Sequence, residues 1–419
     1  MNMPQRSRRT ARLGWLLTLP LLLATGCGGG DPDDSAAVAQ DERAHATAAV
    51  AGTDAPPSPA AAIGIAAEPG DEAVMDAAAE GPSALLATSL PNLPDAVCRR
   101  RPARCGHTHV LQPDVNGQAR DTIVYVSWRA RQVAQAPVVF MLHGTNGNGE
   151  DFYNRSGWRE KADAEGLIAV FPSALKHCYF QQDGPGGTWT RHQFFKWASG
   201  KLGRAGVRPL CTWDQMSDLP VRQRLKYLRQ GLADDLAFFR QQVDIATTQF
   251  NGDPQRVYVS GFSNGAEMSG RLASEATDLF AAVHCASSVV SVDTPASWPI
   301  SVLHTIGNKD EGQKAQLGYG PGQTIPLTPD LLQNPAYWAG VLAPFLQVLR
   351  IGPANSHAYQ VINRRLTSQF LFDHSLVGAT NTFRSVIVQD LHHEYPNGSN
   401  HPIVMADWAW DFFRAHVRP

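Results

Sequence analysis

Ser263 stands in Gly261-Phe262-Ser263-Asn264-Gly265, a G-x-S-x-G spacing. A serine on a very sharp turn exposes its Oγ, and the turn brings neighbouring backbone so close that the flanking positions, Gly261 and Gly265, must be small. Such a hydroxyl becomes a nucleophile only beside a base, and the base needs an acid to orient it. The sequence supplies both types downstream, in that order: Asp310 in Gly307-Asn308-Lys309-Asp310, then His392-His393-Glu394-Tyr395-Pro396. On residue type alone either histidine could be the base, and Asp293, Glu311 and Asp373 compete with Asp310. Upstream, His143-Gly144-Thr145-Asn146-Gly147-Asn148-Gly149 is glycine-rich but lacks the Lys-Ser/Thr of a phosphate loop. It suits a loop whose Thr145 amide pairs with the Asn264 amide to hold a developing oxyanion. The His-His-Glu cluster lacks H-E-x-x-H spacing, so no metal is expected.

These residues need elements to hold them. Apolar runs predict strands at 122–128, 137–142, 167–171, 256–260, 280–286, 300–306 and 384–389. Helical patterns fall at 158–166, at 264–276 and at 402–416, with Ser399 and Asn400 available as caps. Leu236, Phe239, Val243, Ala246 and Phe250 share one further helical face. Strands alternating with helices imply an α/β class with a mainly parallel sheet covered on both faces. Ser263, Asp310 and His393 each follow a predicted strand, where open α/β sheets place functional residues. Two stretches, 176–231 and 311–383, exceed a minimal unit. The first holds Tyr179, Trp189, Phe194, Phe195, Trp197 and Trp213, and such insertions often shape a binding site.

From about residue 137 onward the chain resembles the secreted polyhydroxybutyrate-depolymerase and feruloyl-esterase-like branch of the α/β-hydrolases. The carrying segments are His143-Gly144-Thr145, Asp234-Asp235-Leu236, the strand and elbow 256–265, Gly307-Asn308-Lys309-Asp310 and His393-Glu394-Tyr395-Pro396-Asn397-Gly398. The resemblance implies an α/β-hydrolase fold with Ser263 as nucleophile and Asp310 as acid. It selects His393 as base, because the family's histidine is followed two residues later by an aromatic and then proline. Tyr395 stands where the family often has Trp. No polymer-binding module is expected after the closing helix.

Ahead of this domain, expected over 91–419, lie two other segments. Arg6, Arg8, Arg9 and Arg12 precede an apolar run at 13–23, followed by Ala24-Thr25-Gly26-Cys27. That is an export signal over 1–27, with Cys27 as the expected lipidated residue and ordinary cleavage as the alternative. Residues 28–90 are rich in Ala, Pro, Gly and acids and contain no Phe, Trp or Tyr, which reads as a disordered tether. Export permits disulfides. The expected pairs are Cys98 with Cys105 and Cys178 with Cys211, leaving Cys285 as a buried thiol.

The formal net charge of -2, with basic and acidic residues nearly cancelling, disfavours nucleic acid as a partner. A single apolar run excludes a polytopic membrane protein, so membrane contact is expected only through an N-terminal lipid. The expected protein is an exported, secreted or surface-tethered serine carboxylic-ester hydrolase, without cofactor. Its substrates would be polyhydroxyalkanoate-type or feruloyl esters, monomeric or polymeric. Amide hydrolysis by the same chemistry, or a catalytically idle surface-binding lipoprotein, are the alternatives.

Overall fold

A computed structural model describes residues 105–182, 186–351, 361–364, 367–376 and 379–419. The expected export signal, lipidation site and tether, and Cys98, lie outside them.

Fourteen strands are described: β1 (His107–Leu111), β2 (Asp114–Val115), β3 (Gln118–Ala119), β4 (Thr122–Val126), β5 (Ala136–Leu142), β6 (Ile168–Pro172), β7 (Lys176–Gln182), β8 (Trp189–Phe195), β9 (Gly252–Phe262), β10 (Ala282–Ala286), β11 (Ser301–Gly307), β12 (Val361–Arg364), β13 (Thr367–Leu376) and β14 (Ala379–Val388). Ten of them form one sheet in the order β1-β4-β6-β5-β9-β10-β11-β14-β13-β12. The pairs from β6 through β14 are parallel, and those at both edges are antiparallel. This is the α/β-hydrolase fold, with the mainly parallel sheet that alternating strands and helices implied.

The continuous apolar runs have a simple cause. Side chains alternate across a strand, so a strand buried on both faces needs apolar residues at every position. In β5, Val138, Phe140 and Leu142 enter the core on one face, while Val139 and Met141 enter the other. In β9, Val257 and Val259 split from Tyr258 in the same way. The helices Asp235–Thr248 and Asn264–Glu275 cover the first face. The helices Gly149–Arg155, Trp158–Glu165 and Met405–Phe413 cover the second.

Two expectations need correction. The last strand begins at Ala379, well before the predicted start, and pairs antiparallel with β13, so the second insertion extends the sheet. The closing helix begins at Met405, and its N-cap Val404 makes no side-chain cap bond. Asn400 is used elsewhere: its Nδ2 donates to the Tyr395 carbonyl (3.1 Å) and its Oδ1 accepts from the Asn397 amide (2.9 Å). It therefore closes the loop after His393 instead of capping the helix. The first insertion folds as the β7–β8 hairpin followed by the helix Val221–Gln230. Cys178 and Cys211 are disulfide-bonded as expected, and Cys285 is a buried free thiol. Cys105 is also disulfide-bonded.

Candidate active site

Ser263, Asp310 and His393 follow β9, β11 and β14, at the carboxyl ends of parallel strands. Ser263 has φ 54° and ψ −118°, a left-handed conformation that costs about 1–3 kcal/mol for a residue with a side chain. Neighbouring contacts hold it there. Its amide donates to the Ala286 carbonyl at the end of β10 (2.9 Å). A Cβ on Gly261 would lie 2.1 Å from the Gly265 carbonyl oxygen, and one on Gly265 would lie 2.5 Å from that of Leu142. The small residues of the motif are thus required by backbone packed against backbone.

His393 joins the other two. Its Nε2 is 3.0 Å from Ser263 Oγ, and its Nδ1 is 2.9 Å from Asp310 Oδ2. Asp310 is fully buried, and its other oxygen accepts from the Gln313 amide at the start of the helix Glu311–Gln316. Burial disfavours the imidazolium of His393, but the hydrogen bond and charge of Asp310, with the charge of Glu311, outweigh it. The His393 pKa is raised above its ordinary value. His392 instead pairs with Glu311 through Nδ1 (2.8 Å) at the surface. Asp293 is exposed, and Asp373 lies in β13, outside the loop that holds His393.

The loops carrying acid and base are tied together. Lys309 N donates to the Leu391 carbonyl (3.0 Å), Asn308 N to that of Val388 (2.9 Å), and Asp390 N to Asn308 Oδ1 (2.8 Å). Tyr395 anchors the histidine loop from below. Its hydroxyl accepts from Trp158 Nε1 (3.0 Å) and meets Ser260 Oγ (3.1 Å), which also bonds buried His284 (2.8 Å). An indole at position 395 could donate but not accept, so this network fits tyrosine.

The glycine-rich loop runs alongside Ser263. A Cβ on Gly144 would be 3.2 Å from Ser263 Cβ. Buried His143 fixes the loop: Nδ1 bonds the Gly144 carbonyl (2.7 Å) and Nε2 accepts from the Ala174 amide (2.9 Å). Burial lowers its pKa to about 4, so it is neutral. Thr145 and Asn264 both line a cavity of about 400 Å³ that also borders Ser263 and His393. Among the described residues, the loop amide of Thr145 has no hydrogen-bond acceptor, and that of Asn264 has none outside its own helix.

Three supporting residues had no motif to reveal them. Trp197 donates its amide to Asn264 Oδ1 (2.7 Å) and its indole N–H to the His143 carbonyl (2.9 Å). Glu267, on the helix after Ser263, accepts from Ser199, Lys201, Arg208 and Asn264. Lys196 is buried and donates to Thr145 Oγ1 (2.8 Å). Burial and the charges of Arg208 and Lys201 lower its pKa to about 7, against the opposing pull of Glu267. The one sequence signal was a lysine set in the aromatic run Phe194-Phe195-Lys196-Trp197. Of the insertion's aromatics, Trp197 and Tyr179 are buried near the site, while Trp189 and Trp213 are exposed.

The geometry is that of a hydroxyl with a hydrogen-bonded imidazole and an orienting carboxylate, the set needed for attack on a carbonyl carbon. No family model matches the chain. It is 28% identical over 233 residues to the "Putative esterase NocK" of Nocardia uniformis subsp. tsuyamanensis, covering 52% of this chain and 56% of that protein. It is 24% identical over 196 residues to the bifunctional acetylxylan esterase/xylanase XynS20E of Neocallimastix patriciarum, covering 46% of this chain and 22% of that protein. The chain thus spans about half of the first relative and about a fifth of the second. Among solved structures, an acetyl xylan esterase from Aspergillus awamori matches with a TM-score of 0.45 at 14% identity, covering 73% of this chain and 98% of that one. An S-formylglutathione hydrolase from Agrobacterium tumefaciens matches with a TM-score of 0.42 at 13% identity, covering 80% and 99%.

Proposed function

We propose that this protein is a serine carboxylic-ester hydrolase that works through an acyl-enzyme. The observation that carries the reading is the continuous hydrogen-bonded line from Ser263 Oγ through both nitrogens of His393 to buried Asp310. Sequence similarity to two esterases supports the same class.

In this reading His393 Nε2 takes the Ser263 proton as Oγ bonds to the ester carbonyl carbon. Asp310 keeps the Nδ1–H tautomer and stabilises the imidazolium. The Thr145 and Asn264 amides receive the oxyanion, and losing one such donor typically costs about 2.7–4 kcal/mol of transition-state stabilisation. The tetrahedral species collapses as His393 returns the proton to the departing alcohol oxygen. Water, deprotonated by the same imidazole, then attacks the acyl carbon and releases the acid, restoring Ser263.

Hydroxyalkanoate-type oligoesters and hydroxycinnamoyl esters are the proposed substrates, on the motif resemblance. Export is proposed with them, as a lipoprotein bearing lipid on Cys27 or as a secreted or periplasmic protein. The Cys178–Cys211 disulfide supports an oxidising compartment. Steady-state hydrolysis of matched ester and amide substrates tests the reading. Ester turnover should dominate and fall by orders of magnitude in Ser263→Ala and His393→Ala, while faster amide turnover would overturn it.

A further inference from the structure

Resting on the ester-hydrolase reading, we infer that the cleft beside Ser263 accepts esters that carry a carboxylate, held by Lys196 and Arg208. Lys196, Lys201 and Arg208 surround a single carboxylate, Glu267. Glu267 already accepts from four donors: Lys201 (2.8 Å), Ser199 (3.0 Å), Asn264 (3.1 Å) and Arg208 (3.2 Å). Lys196 is not among them. The residue is 3% exposed, and among the described residues its ammonium hydrogen-bonds only the neutral Thr145 hydroxyl and sits over the Tyr179 ring at 5.6 Å.

Glu267 acts on Lys196 only through space, and a buried cation with no anion in hydrogen-bond contact is costly, so proteins ordinarily pair such a charge directly or neutralise it. The lowered pKa of Lys196 records that cost. A lysine that merely filled space here could be apolar. An ammonium has three donors, and one is used. Arg208 likewise has guanidinium N–H groups beyond the NH1 contact to Glu267. Both residues line the cavity that contains Ser263, Asn264 and His393.

The position is also fixed. The Lys196 amide donates to the Leu175 carbonyl (3.0 Å), and the next residue is bolted to Asn264, directly after the nucleophile. A preorganised positive site of this kind favours a small anionic group on the substrate itself. Charge-assisted hydrogen bonds of the kind a carboxylate accepts are roughly twice as strong as neutral ones.

The test uses the full chain and two matched pairs of esters. One pair places the charge on the acyl side: mono-4-nitrophenyl adipate against 4-nitrophenyl hexanoate. The other places it on the alcohol side: 4-carboxyphenyl butyrate against its methyl ester. In at least one pair the charged ester should show kcat/KM about tenfold or more above its neutral partner. Lys196→Met and Arg208→Gln should each bring that ratio toward unity, while Lys196→Arg should retain it. Ratios near unity in both pairs for the wild type would overturn the inference, even with brisk Ser263-dependent turnover. So would a high ratio that survives both charge-removing substitutions, or an equal loss on both esters, which would mark Lys196 as a support for Thr145 alone. No turnover of any of the four esters overturns the ester-hydrolase reading itself.

Discussion

Gly307 and Leu391 approach so closely that a Cβ on Gly307 would lie 2.0 Å from the Leu391 carbonyl oxygen. The contact joins the end of β11, which leads to Asp310, to the loop that carries His393. It gives the Gly-x-x-Asp step a physical reason: the acid can reach the imidazole because the two loops touch through a residue without a side chain.

Gly307→Ala should therefore push the histidine loop away from Asp310. A misplacement near 1 Å can cost on the order of a hundredfold in rate, and overpacking typically costs about 1–3 kcal/mol in stability. Kinetics and thermal melting of the variant check this. A folded Gly307→Ala with wild-type kcat would show that the approach is dispensable.

The base must be neutral to accept a proton. Because Asp310 and Glu311 outweigh burial and raise the His393 pKa, the imidazole stays charged to a higher pH than an ordinary histidine. The acidic limb of kcat/KM should rise with pH and have its midpoint above 6.5, the ordinary histidine value. Replacing Glu311 by Gln removes one raising charge and should shift that midpoint downward. A pH–rate profile of both proteins reads the shift.

Glu267 is predicted to matter for stability. Burial alone would push its carboxyl up, but Lys201, Arg208 and Lys196 hold it well below the usual range. Its folded pKa is thus depressed. The stabilisation is fully present above the ordinary value of 4.5 and is lost as pH falls from there toward the folded value. Breaking a buried charge network by removing one partner typically costs about 3–5 kcal/mol. Denaturant titration at pH 7 should show a loss of that size for Glu267→Ala, and the gap from wild type should narrow as the medium is acidified below 4.5.

The disulfide closes the insertion that brings Tyr179, His192 and Lys196 to the cavity. Its 33-residue separation predicts stabilisation of about 3–4 kcal/mol by restricting the unfolded chain. The variant Cys178→Ser/Cys211→Ser should melt lower and lose activity before the core unfolds. Simultaneous loss of activity and of core structure on heating would argue against that order.

The parts of this protein that could be read from sequence are those where one local rule acts alone. β5 is apolar at every position because both faces are buried, and the elbow needs its glycines because backbone meets backbone. The β12–β13 hairpin escaped because an edge segment mixes polar and apolar residues without a continuous run. Asn400 misled because a cap-type side chain serves a loop equally well. Lys196 and Glu267 were invisible for a different reason: their roles depend on residues up to 71 positions away, and no local pattern records such a meeting.

The most direct measurement is covalent capture of Ser263. The purified chain, treated with a fluorophosphonate and digested, should yield a single phosphonylated peptide containing Ser263. Labelling should vanish in Ser263→Ala and slow sharply in His393→Ala, with both variants folded. Labelling that persists in folded Ser263→Ala, or a folded wild type that never labels, would contradict the account.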